Sequence, residues 1–423
     1  MRVLVITRAP WRNDNNTGNT MTNFFGNMKD VEFFNLYFRE QLPNNDVANR
    51  SFAISETQII KNLTKGTPVG REVAGQDAPA NEKEEEIYNA AKKKGSTLLM
   101  LARELIWSVG RWRSESLKSF LKEIKPDIIF MPAFNCFYPY KVLKFVKKQT
   151  GAKSVLFHAD DNYTLRQVSF SPIYWLYRFR LRHWVRGAAK ASNINYAISY
   201  VQKTDYEAAF KKQVKVLTKG FDFTGNPDCK KNYDKPLQLV FTGNISANRW
   251  CSLSKIADAL EEINEGDIKA QLRIYTATAL TPKMEKALNR GESSFIMGQV
   301  PSSEVAAIQK DADILVHVEA FDLKNKLLVR QSFSTKIVDY FMASRAVLAV
   351  GPKDVASIDH LVRNECAIVA ANQHEIKQRL TEGIENPERL TEYAKAGYEC
   401  GKKHHDLTLM QQMLESDFNS LLN

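Results

Sequence analysis

What this 423-residue chain lacks narrows its class before any motif is considered. Its five cysteines, Cys136, Cys229, Cys251, Cys366 and Cys400, are scattered and form no CxxC pair. That excludes a disulfide framework or a zinc ribbon, and reads as the reduced thiols of an intracellular protein. No window approaches the ~18 consecutive apolar residues that a membrane-spanning helix needs. The apolar stretch of the first eight residues is too short for a signal peptide. The expectation is a soluble, cytoplasmic protein that meets any membrane from outside. No GxGxxG turn is present, no repeat indicates a solenoid, and no acidic or histidine cluster has metal-ligand spacing. Neither a metal nor a cofactor is expected.

What is present is an ordinary globular balance, 44% hydrophobic and 25% charged. The length calls for more than one domain, because single cores stop growing near ~250–300 residues. Charge is uneven. Residues 101–250 hold 26 basic and 11 acidic side chains, a net of +15, against −4 for the rest of the chain. A basic surface of that size suits a phosphate-rich partner.

The run Val3 to Ile6 reads as a strand buried on both faces, followed by the Gly-bearing loop NDNNTGNT at 13–20 and a helical pattern. Strand, loop and helix recur, with strands at 127–130, 154–158 and 195–198 and helices at about 96–124, 139–149 and 171–190. The stretch 62–86, rich in Lys, Gly, Pro and Glu, reads as a mobile loop. After a turn-rich link at 224–236, the second half repeats the logic. It has strands at 238–242, 272–275, 294–297, 314–318, 347–350 and 367–369 with helices between them. The expected class is α/β, with two doubly wound domains at 1–224 and 236–386 facing across a cleft. Helices in 387–423 are expected to pack back on the first domain.

Candidate site residues follow from strand ends. Gly18 sits where a first βα loop would approach a ligand. His158, Asp160 and Asp161 end a buried strand, where polar groups face the crevice and can orient or deprotonate a hydroxyl; the alternative is that the Asp pair caps a helix. Gly243 and Asn244 follow the first strand of the second domain, and Arg249 reads either as a guanidinium at the mouth of a nucleotide cleft, able to take a diphosphate, or as a solvated surface arginine. Asp311 and Asp313 form a DxD pair, but it precedes a strand, so capping and solvation account for it. A strand delivers His317 and Glu319, and a polar loop then leads through Arg330 to Ser334 and Thr335. These hydroxyls, Lys336 and the start of a helix would make an anion-binding nest. Asp339, three residues further, suits a ribose diol; the alternative is a capped helix with a Lys336–Asp339 surface pair. The segment 171–190, SPIYWLYRFRLRHWVRGAAK, aligns Tyr174, Tyr177, Leu181, Trp184, Val185 and Ala188 in one stripe beside Arg178, Arg182 and Arg186. It reads either as a headgroup interface or as a core-packed helix.

TGN at 242–244, Arg249 and STKIVDYFMASRAVLAVGP at 334–352 together resemble the retaining GT-B glycosyltransferases of the bacterial polysaccharide type, family 4-like. AISYVQKTDYEAAF at 197–210 and LTKGFDF at 217–223 add a looser match. The resemblance implies two Rossmann-like domains and a nucleotide-sugar used as a substrate. It also implies a glycan acceptor, lipid-linked and met at an anionic membrane face, and metal-independent transfer with retention of configuration. Carried over, it places Asp339 on the ribose, Arg249 on the diphosphate with Lys336 in the same helix-start region, and a second basic residue near Lys255, off by one in spacing. Gly18 would match the first-domain glycine loop and His158 the cleft histidine. Three positions depart from the pattern. Gln331 stands where the family has a carboxylate, and Ser344 and Ala346 replace a Gly and a Pro. A nucleotide-sugar epimerase of the same fold is the alternative enzyme. A nucleic-acid-binding protein is disfavoured, because the basic block carries no recognition module.

Overall fold

Val3, Leu4, Val5 and Ile6 have no exposed surface, and their strand is the centre of the first sheet. In the computed structural model, which describes residues 1–73 and 97–423, this is β1 (Arg2–Thr7). Around it lie β2 (Glu32–Tyr37), β3 (Ala48–Ala53), β4 (Arg71–Val73), β5 (Ile128–Pro132), β6 (Lys153–His158), β7 (Ile194–Ala197) and β8 (Lys215–Val216). Their order is β4-β3-β2-β1-β5-β6-β7-β8, and every pairing is parallel except β3 with β4. Parallel pairing demands helical crossovers on both faces, which is why the strands read as continuous apolar runs.

The second sheet contains β9 (Leu237–Thr242), β10 (Ala270–Tyr275), β11 (Ser294–Gly298), β12 (Ile314–Val318), β13 (Ala346–Val350) and β14 (Ile368–Ala370). Its order is β11-β10-β9-β12-β13-β14, all parallel. Each sheet reverses direction of winding once, between β1 and β5 and between β9 and β12. Crevices at such switch points, beyond the strand C-termini, are where ligands enter this architecture. The molecule is thus two doubly wound α/β domains, the class the sequence pattern predicts.

The chain crosses between domains twice, and the crossings touch. Phe221 donates its N–H to the His405 carbonyl at 2.7 Å, and Leu407 donates back to Phe221 at 2.9 Å. The helix Pro387–His404 remains on the second domain, with Tyr398 and Cys400 in its core. The helix Leu407–Leu422 lies on the first domain, where Met410, Leu414 and Phe418 join Phe24, Phe25 and Phe130.

Local differences from the sequence pattern have physical causes. The region 96–124 is two helices, Thr97–Val109 and Glu115–Ile124, separated at Gly110 and restarted by Ser114, whose side chain accepts from the Leu117 N–H. In the stretch 62–86, residues 62–65 end the helix Glu56–Lys65 and residues 71–73 form β4, while 74–86 lie outside the described residues. β2 and β3 carry Asn35 and Ser51 in their cores, which broke the apolar run that marks a buried strand.

Candidate active site

The second domain's switch point gathers charge. β9 ends in Thr242, and Gly243 turns the chain with φ of +144°. The Lys336 amine lies so close that a Cβ on Gly243 would sit 1.7 Å from it. Glycine suits this position because its positive φ is a conformation that L side chains rarely adopt, and the Lys336 amine lies over it. Asn244 then accepts from the Ser246 N–H at 2.6 Å, shaping the loop into the helix Arg249–Ile263.

Arg249 opens that helix and is held by Glu319, just past β12. Its Nε donates at 2.9 Å and its Nη2 at 3.2 Å, a forked pair that leaves the Nη1 edge without a partner among the described residues. Glu319 is 2% exposed, and burial raises its pKa against the pull of Arg249 and Lys336. His317, its Nε2 3.6 Å from Glu319, is pushed down to about 3, by burial first and then by the same two cations, so it is neutral. Glu319 is therefore no free acid or base. It fixes the guanidinium from beneath.

Lys336 and Asp339 lie on the helix Lys336–Met342. Burial, with Arg249 nearby, lowers the Lys336 amine from its usual range. Asp339 is raised to about 6 by burial, with Lys219 and Lys336 pulling the other way. Lys219 belongs to the first domain's closing segment, so the two domains share this charge cluster. Lys255 stands apart. It is exposed and pairs with Asp258 at 3.7 Å, beside Arg290. Ser334 and Thr335 do not cap their helix: the Ser334 N–H is taken by Ser357 Oγ at 3.0 Å, and Thr335 makes no side-chain cap.

The first domain treats its candidates differently. Gly18 is inside the helix Asn16–Phe25, its N–H taken by Asn15 and its Cα pressed on the Arg12 backbone, so the glycine serves internal packing. His158 has no exposed surface; it meets Tyr206 edge-on and Phe210, and burial pushes it down to about 4. It is a core side chain, not a cleft side chain. Asp161 is consumed by structure. It accepts from the N–H groups of Tyr163 and Thr164 at 3.0 and 2.7 Å and pairs with buried Arg178 at 3.0 Å. Asp160 alone is open at the seam, where Ser332 Oγ donates to it at 3.4 Å and burial by surrounding protein raises its carboxyl.

Between the domains runs a tether that spacing did not reveal. Arg330 donates to Asp205 at 2.5 Å, and Gln331 donates to the same oxygen at 2.6 Å. Ser199 Oγ reaches the Gln331 carbonyl at 2.8 Å. Gln331 is therefore buried in the seam, and Arg330 is committed to Asp205 instead of a phosphate. Asp205 lies 125 residues from Arg330, so no local pattern could pair them. Asp313 of the DxD pair faces the opposite end of the sheet, accepting from the Gln238 N–H and Lys230 at 2.7 Å each.

The fold is shared with solved structures. The chain superposes on HepE from Anabaena in complex with UDP, with a TM-score of 0.64 and 12% identity, covering 99% of this chain and 100% of that one. It also matches sucrose-phosphate synthase from Thermosynechococcus elongatus, at a TM-score of 0.62, 9% identity, and 100% and 99% of the two chains. An α,α-trehalose-phosphate synthase (UDP-forming) from Burkholderia vietnamiensis gives 0.60 and 9%, over 99% of each chain. The architecture is thus the two-domain GT-B fold. No family model matches the chain, and no curated protein matches it.

Proposed function

We propose that this chain is a glycosyltransferase that moves a sugar from a nucleotide-sugar donor to a glycan acceptor. The acceptor is lipid-linked and belongs to a cell-surface polysaccharide, and the enzyme works from the cytoplasm at an anionic membrane face. The observation that carries the reading is the meeting of Arg249, Lys336 and Asp339 at the β9/β12 crevice.

As the bond from sugar to diphosphate breaks, negative charge grows on the departing oxygens. Fixed cations aimed at that charge lower the barrier, because they need no reorganisation during the reaction. Arg249 offers its free Nη1 edge, held in orientation by Glu319, and Lys336 brings a second cation over Gly243. Asp339 accepts from the ribose hydroxyls in its ionised form. Asp160, open at the seam, is positioned to orient the acceptor hydroxyl. Retention and metal independence are what the family resemblance implies. The HepE complexes with UDP and UDP-glucose make UDP-sugars the first donors to try.

A thermal-shift panel of UDP-, GDP-, ADP- and CMP-linked sugars tests the reading. Native-state binding at a hundred times the dissociation constant adds about 2.7 kcal/mol of stability, a shift easily seen. One nucleotide series is expected to raise the melting temperature, and silence from all four would sink the proposal.

A further inference from the structure

The helix Pro172–Ala191 does not expose the aromatic stripe its sequence suggests. Tyr177, Leu181, Val185 and Ala189 are buried against the first domain, and Arg178 is buried with them. A different apolar set faces water. Phe170 is 100% exposed, Leu176 71%, Phe179 55% and Ile173 46%. Ile173, Leu176, Arg180 and His183 follow three- and four-residue spacing, so one face is apolar in its first half and cationic beyond. Arg180, Arg186 and Lys190 are exposed on that second half.

The exposure is built, not frayed. Trp175 Nε1 donates to the Ser169 carbonyl at 2.9 Å, and Arg182 donates to the Tyr163 carbonyl at 3.0 Å. Arg178 holds the Thr164 carbonyl and Asp161. This held loop therefore presents Phe170 with nothing over it among the described residues, at a standing cost in hydration.

Charge identifies what covers it. Residues 162–204 contain seven Lys and Arg and no Asp or Glu. The neighbouring helix Tyr138–Thr150, which packs against this one, adds exposed Lys144 and Lys148 and no carboxylate. A second copy docked symmetrically would set these cations against their own images. A nucleic acid would satisfy the cations but leave Phe170 and Leu176 wet. An anionic phospholipid surface satisfies both halves, the apolar one among acyl chains and the basic one among headgroup phosphates.

We propose that Phe170, Ile173, Leu176 and Phe179 insert into an anionic lipid leaflet, with Arg180, Arg186 and Lys190 on its phosphates. This deepens, and rests on, the membrane part of the proposed function. The loop bearing Phe170 also bears Asp160 near its start, so docking there brings a lipid-borne acceptor to the mouth of the cleft.

The test is co-sedimentation with vesicles of phosphatidylcholine, with and without phosphatidylglycerol. The natural chain is expected to pellet with the anionic vesicles only. The triple variant Phe170→Ser, Leu176→Ser, Phe179→Ser and the double variant Arg180→Glu, Arg186→Glu should each lose roughly tenfold or more in partitioning. All these side chains are exposed, so the variants should keep the natural melting temperature and its shift with UDP-sugars, which separates this outcome from failure of the donor reading. Absence of vesicle binding by the natural chain, or undiminished binding by the triple variant, would overturn the proposal. So would sedimentation velocity showing a dimer that the triple variant dissociates, which would give the surface to a second copy.

Discussion

The two domains wind around the same core order, yet their switch points are furnished in opposite ways. At the β9/β12 crevice, Arg249, Glu319, Lys336 and Asp339 are half-buried or buried and within each other's fields. In the first domain the comparable polar residues are turned inward. Asn35 bonds Thr7 and the Val5 carbonyl, His158 is walled by aromatic rings, and Asp161 is spent on its own loop. Topology makes a crevice in both. The first domain's carries Arg8, which donates to Asn135 at 3.0 Å, and the open Asp160, whereas the second gathers four charged side chains into one mutually interacting cluster. The asymmetry between the two crevices therefore resides in side chains and not in fold.

The largest expected effect falls on Arg249. Replacing it with Ala should lower kcat/KM by roughly 10²–10³-fold, the cost of removing one fixed donor from developing charge. It should also destabilise the chain, since Glu319 would stay buried without its partner. Arg249→Ala combined with Glu319→Gln should recover the melting temperature and stay inactive. Recovery of activity in the double variant would mean that Arg249 matters for folding alone, and the contrast between the crevices would collapse.

Next in size is the tether. Asp205→Asn removes the shared anion of Arg330 and Gln331, a charge-assisted contact of about 1.5–3 kcal/mol. The expected outcome is a wider cleft by small-angle scattering and roughly tenfold lower kcat/KM. Nucleotide affinity should be nearly unchanged, because the donor side of the site remains whole. A variant that loses nucleotide binding would place Asp205 within the second domain's chemistry instead.

Asp339 gives a smaller, pH-dependent effect. Burial raises its folded pKa to about 6 from an ordinary 3.8. The unfolded chain thus releases this proton first, and the group's cost to stability grows as pH rises between about 4 and 6 and is complete above. Asp339→Asn should therefore raise the melting temperature at neutral pH, by roughly 2–4 °C. The same variant should weaken nucleotide binding, and it should flatten the loss of affinity expected in the natural chain as pH falls through 6. Lower stability in the variant at neutral pH would show that the carboxylate is paired, not penalised.

Much of the fold was legible because parallel strands announce themselves as β-branched runs. β1, β5, β6, β9, β12 and β13 all do so. β2 and β3 escaped because Asn35 and Ser51 sit among their buried residues, Asn35 being satisfied by Thr7 and the Val5 carbonyl of the neighbouring strand instead of by water. At the site, Arg249, Lys336 and Asp339 were legible from spacing and from the family resemblance, since all three lie in or beside short contiguous motifs. His158 and Asp161 misled for one reason: a strand end says where a residue is, not which way it turns. Whether the imidazole faces a cleft or Tyr206 and Phe210 depends on packing from a helix some forty residues on. Asp205 and Lys219 were hidden for the converse reason, because their partners lie across the domain seam.

Lys255 carries the smallest expected effect and the finest discrimination. The motif spacing puts a second phosphate cation near it, whereas the geometry gives that place to Lys336, whose amine covers Gly243. Lys255 faces outward to Asp258 through an exposed pair, which contributes little in water. Lys255→Ala should change donor KM by less than about twofold, within the ~0.5 kcal/mol of an ordinary surface substitution. Lys336→Ala should raise donor KM far more, since a half-buried ammonium next to the diphosphate loses less to solvent screening. If the two variants exchanged these outcomes, the helix Arg249–Ile263 would have to rotate its outer face into the crevice when donor binds. The charged switch point would then be a property of the bound state, and the contrast with the first domain would belong to the empty molecule only.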